Sequence, residues 1–110
     1  MQLLLVILHS EELLDDVLST LVEMQAPDAV VVESRSGLEL LARDLPIFAG
    51  LRSLVPSGLD FSSLVLCVLE DDGTAREIVG AMRALETAPR GADAPRNTAV
   101  LVPVTKVETF

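Results

Sequence analysis

Most of the residue types that announce a chemistry are scarce in this chain. Aromatic residues make up only 3% of it, so a core has to be built from Leu, Val and Ala. The single cysteine, Cys67, excludes an internal disulfide and any cysteine-based zinc cluster. The single histidine, His9, has no second histidine with which to form a catalytic or metal-binding pair, and a locally satisfied structural role is its simplest reading. Basic residues number eight against seventeen acids, for a formal net charge of −9. That balance argues against a general nucleic-acid or anionic-membrane surface, both of which need a basic footprint. The N-terminal apolar run, Gln2–Leu8, is too short to span a bilayer and lacks the flanks of a secretory leader. The expectation is a cytoplasmic protein with no direct membrane insertion.

What the chain does have is aliphatic periodicity. Its 110 residues, half of them hydrophobic, suit one domain over 1–110. QLLLVIL at Gln2–Leu8 reads as a strand apolar on both faces, with Leu3, Leu5 and Ile7 on one and Leu4, Val6 and Leu8 on the other. Ser10 can cap a helix running to about Gln25, whose apolar face is Leu13, Leu14, Val17, Leu18, Leu21 and Val22. Ala26–Pro27 ends it. AVVVES at 29–34 is a β-branched second strand and LVLCVL at 64–69 a third. Thr74 and Glu77 form a capping-box pattern ahead of a helix with Ala75, Ile78, Val79, Met82 and Leu85 on one face. Thr98–Val104 is the fourth strand, and Pro103 within it requires an edge.

Between the second and third strands lies an insert, residues 35–63, far longer than an ordinary connection. Its many leucines, with Ile47 and Phe48, give it too much to bury for disorder. Ser36 can cap a short helix over Gly37–Arg43. The element order gives an α+β fold of ferredoxin-like βαββαβ type: an antiparallel four-stranded sheet with two helices on one face. The most apolar strands, the first and third, then lie in the centre. One sheet face is left without helices although its residues are apolar, which soluble monomers avoid. The insert, another subunit, or both must cover it, and a homo-oligomer is expected.

This layout resembles the PII signalling superfamily, the trimeric ferredoxin-like proteins that include the nitrogen-regulatory PII proteins. VVVESRSG at 30–37 is similar to that family's junction of strand and T-loop, and PRGADAPRNTAVLVPVTKV at 89–107 to its B-loop, last strand and following basic position. Leu45–Phe48, Leu-Pro-Ile-Phe, resembles the insert of small PII-like proteins. The resemblance implies a trimer that binds an adenine nucleotide between subunits and signals through the T-loop to a target, a transporter or an enzyme. Gly37 would sit at the T-loop base, Arg90 and Gly91 in the phosphate-facing B-loop, and Lys106 at the basic position after the last strand. Asp93 and Pro95 depart from the family's glycine and lysine, and no tyrosine is present to be modified. A smaller or less charged metabolite than adenosine triphosphate is therefore an open alternative.

Independently of any family, basic residues concentrate in the loops, where arginine can fork onto a phosphate or carboxylate. The expected ligand-binding set is Arg35, Ser36, Gly37, Arg90, Gly91, Arg96 and Lys106. Solubility and pairing with the abundant acids is the competing explanation for these arginines. Glu70–Asp71–Asp72 lacks the spaced oxygen ligands of a calcium loop, and Ser57 and Ser63 have no nucleophile-elbow context. Nothing argues for an enzyme. Two functional readings stand: a regulatory module binding a small anion between subunits, and a ligand-free scaffold that docks a transporter or enzyme through residues 35–63.

Overall fold

The computed structural model describes residues 1–44, 61–86 and 95–110. The elements are β1 (Gln2–Leu8), α1 (Glu11–Glu23), β2 (Val30–Glu33), α2 (Gly37–Asp44), β3 (Ser63–Leu69), α3 (Asp72–Leu85) and β4 (Thr98–Pro103). The four strands form one antiparallel sheet in the order β2-β3-β1-β4. The α+β class follows directly, and the arrangement is compatible with a ferredoxin-like fold. β1 and β3 are central, and Pro103 falls on β4 at the edge, where its missing N–H costs no ladder bond.

Strand alternation decides which side chains meet the helices. Leu4, Val6 and Leu8 of β1 and Val65, Cys67 and Leu69 of β3 are buried with Val17 and Leu21 of α1 and Ala75, Ile78 and Met82 of α3 in one core. The register sets Leu4 against Cys67 and Val6 against Val65. On the opposite face, Leu3 lies between Val68 and Val102, Leu5 between Leu66 and Val100, and Ile7 between Leu64 and Thr98. Val30 and Val32 of β2 extend that face beside Leu66 and Leu64. Its exposure is large: Val30 is 57% exposed, Val68 44% and Val102 38%.

The helix ends depart from the sequence reading in instructive ways. Ser10 caps α1 as expected, accepting from the Leu13 N–H. The helix stops before Gln25, however, and Pro27 is not what ends it. Gln25 takes a positive φ of 63°, its N–H bonds to the Val22 carbonyl, and the Ala26 N–H reaches back to Leu21 at 2.8 Å. This is a Schellman closure with glutamine where glycine is usual. At α3 the capping box does not form. Asp71 is the cap instead, accepting from the Gly73 and Thr74 N–H groups and from the Thr74 hydroxyl. β3 begins at Ser63, so the insert closes one residue earlier than expected.

Candidate functional site

The candidate site is built at the base of the insert. Where the chain leaves β2, the Ser34 N–H bonds to the Ser62 carbonyl at 3.1 Å, and the two serine hydroxyls lie 2.6 Å apart. The entering and leaving strands are thereby clamped together, with α2 starting immediately beyond. The Leu40 N–H bonds to the Ser36 carbonyl, which places Ser36 at the N-terminal boundary of α2. His9, at the end of β1, directs Nδ1 to the Phe61 carbonyl at 3.3 Å. Facing a carbonyl, that nitrogen must carry the proton and donate.

These groups enclose a cleft of about 370 Å³ lined by Ile7, His9, Ser34, Arg35, Ser36 and Leu64, with Ser62 completing it. The size falls within the range of small-molecule pockets. One wall is polar and one apolar. Ile7 and Leu64, which form the apolar wall, are cross-strand partners on the exposed sheet face. The cleft therefore opens at the border of that face.

Of the expected binding residues, Arg35 and Ser36 line this cleft and Gly37 follows them as the first residue of α2. A Cβ on Gly37 would meet nothing within 4 Å, so the subunit itself does not require glycine there. Arg96 is exposed just before β4, at the same end of the sheet, beside Asn97, which bonds to the His9 N–H. Arg90 and Gly91 lie outside the described residues. Lys106 lies elsewhere: it follows β4 past the pairing of Pro103 with Gln2, at the far end of β1 from His9, and bonds to Glu108 at 2.6 Å. A seven-residue strand is about 20 Å long, so Lys106 and Arg35 of one chain do not share a site.

His9 and Ser62 were not among the expected binding residues. A local structural role is the simplest sequence reading of His9, and its bond to the Phe61 carbonyl is of that kind. Its place in the cleft depends on a pairing 52 residues away in sequence, which no local pattern encodes.

The shifted groups lie elsewhere. Burial, and then the charge of Asp28, raise the Cys67 thiol above its ordinary value. The Asp71 carboxyl is lowered, first by its bond from the Thr74 hydroxyl and then by the Gly73 and Thr74 amides. Both belong to structure rather than chemistry. Among the described residues, no three His, Cys, Asp or Glu side chains come together as a metal group, and no helix is long and apolar enough to cross a membrane. Comparison with known proteins finds no matching family model and no matching curated protein.

Proposed function

We propose that the protein is a PII-like regulatory module that binds a small anionic metabolite or an adenine nucleotide between subunits, and signals through residues 35–63 to a target protein. One observation carries this reading: the cleft holding Arg35 and Ser36 opens where Ile7 and Leu64 border the exposed apolar face. A second copy packed on that face brings its own residues to the mouth of the cleft.

The size of the face favours such an assembly. Four strands of four to seven residues at their usual spacing give a flat area on the order of 400 Å². That is comparable with the largest apolar patch of a typical monomer, which is often functional. It is also about half of the roughly 800 Å² that each partner contributes to a stable interface. Loops beside the sheet must supply the remainder, and the base of the insert is beside it. A closed trimer also resolves the position of Lys106, because a neighbour's far end can reach the cleft that its own cannot.

Calorimetric titration with adenosine mono-, di- and triphosphate and cyclic adenosine monophosphate tests the proposal. Heat at one ligand per subunit is expected, with affinity falling about tenfold or more in Arg35→Ala through loss of a charge-assisted bond. No heat with any nucleotide at two temperatures would favour the scaffold reading.

A further inference from the structure

The helix-bearing side of the sheet holds a different cleft. α1 and α3 pack on each other and on β1, while β4 turns Ala99 and Leu101 to the same side, Leu101 packing against the core. Ala99 pairs with Val6 and has only a methyl group with which to fill the space at the helix flank. The result is a cavity of about 480 Å³ whose apolar wall includes Val6, Leu8, Val17 and Met82, all of them buried. Its polar end is formed by Arg83, Glu86 and Asn97.

The charges at that end are unequally engaged. Glu86 stands three residues after Arg83 on α3, a spacing at which the two commonly pair. Here Glu86 accepts instead from the Asn97 Nδ2 group, at 3.2 Å to each carboxylate oxygen. Arg83, exposed in the last turn of α3, makes no ion pair among the described residues. An arginine at a helix C-terminus is favourable with the dipole alone. That does not account for an apolar cavity beside it in a chain of net charge −9.

We propose that this cleft is a ligand site for a small aliphatic monocarboxylate, with its tail on Val6, Leu8, Val17 and Met82 and its head on Arg83. The volume lies within the ordinary range for such sites. A guanidinium fork matches a single carboxylate, and the Glu86 carboxylate at the same end repels a doubly charged phosphate more strongly than a singly charged head. The site is separate from the loop-base cleft and does not depend on it.

Backbone amide shifts on titration with octanoate and with octanol test the proposal. Octanoate should shift amides at Val17, Met82 and Ala99 and bind at least about tenfold more tightly than octanol. Arg83→Gln should bring octanoate down to about the affinity of octanol. Ala99→Leu, an aliphatic substitution on an edge strand, should fill the cavity and weaken both. Equal affinity for acid and alcohol, shifts confined to the exposed sheet face, or unchanged binding in Ala99→Leu would each overturn it. Arg35→Ala should leave octanoate affinity intact, so failure here is distinguishable from failure of the nucleotide reading.

Discussion

The two faces of the sheet are made of the same kind of residue and live in opposite surroundings. Leu4, Val6 and Leu8 are at most 3% exposed beneath the helices, whereas Ile7 on the opposite face is 38% exposed. Hydrophobicity alone does not distinguish them, because β1 is an unbroken apolar run. What differs is the cover. The first face obtains it from α1 and α3 in the same chain. The second is composed as if it too were to be buried, and retaining so much exposed valine is costly unless a partner removes it from water.

The sharpest way to break this comparison is to charge the second face. Val68 and Val102 flank Leu3 in one cross-strand row. Val68→Lys with Val102→Lys should weaken self-association by about a hundredfold or more, since unpaired buried charges cost several kcal/mol. Light scattering should then report a monomer with its helical circular dichroism intact. A wild type that is already monomeric in dilute solution would end the oligomer proposal.

Truncation on the first face acts on the fold itself. Leu4→Ala should lose about 2–5 kcal/mol in denaturant unfolding. Under the proposed self-association, Leu5→Ala, one residue along and on the opposite face, should lose an amount that depends on protein concentration. Equal, concentration-independent losses would mean that the two faces are not covered in different ways.

Smaller effects come from the caps that hold the covering helices. Ser10→Ala removes the bond to the Leu13 N–H and should cost about 1 kcal/mol. At α3 the dependence is on pH. Asp71 is lowered from its ordinary value of 3.8, so its contribution is fully present above that value. It is lost as pH falls through the lower folded-state value. Asp71→Asn should therefore lose less stability than wild type between about pH 5 and pH 2, as measured by thermal unfolding. The reverse ordering would contradict the cap geometry.

The smallest effect is on reactivity. Cys67 is 3% exposed with a raised thiol, so native protein should react with a neutral alkylating reagent far more slowly than unfolded protein.

What could be read from the sequence was what neighbouring residues encode. β1 spans Gln2–Leu8 as its apolar run indicates, and the assignment of its side chains to two faces matches the observed burial. Pro103 marked an edge because a missing donor is a local property. The Schellman closure at Gln25 was missed because glutamine carries no glycine-like signal, and Pro27 offered a nearer explanation. Thr74 offers a capping-box pattern, but Asp71, three residues ahead of it, caps the helix by accepting from the Gly73 and Thr74 N–H groups. The loop-base cleft was half legible. Arg35 and Ser36 stood out as loop residues, but the clamp from Ser34 to Ser62 joins positions 28 apart. Only the completed β2–β3 pairing brings them together.

Asn97 has a consequence that reaches across the molecule. Its amide oxygen receives the His9 N–H at 2.9 Å, while its amide nitrogen holds Glu86. His9 lines one cleft, whereas Glu86 and Asn97 line the other. A single planar group is thus a tether with one end in each compartment, and rotating it disturbs both attachments at once. Asn97→Asp separates the two ends. It keeps an acceptor for His9 and sets a negative charge against Glu86, so the helix-side rim should loosen while the end of β1 stays fastened.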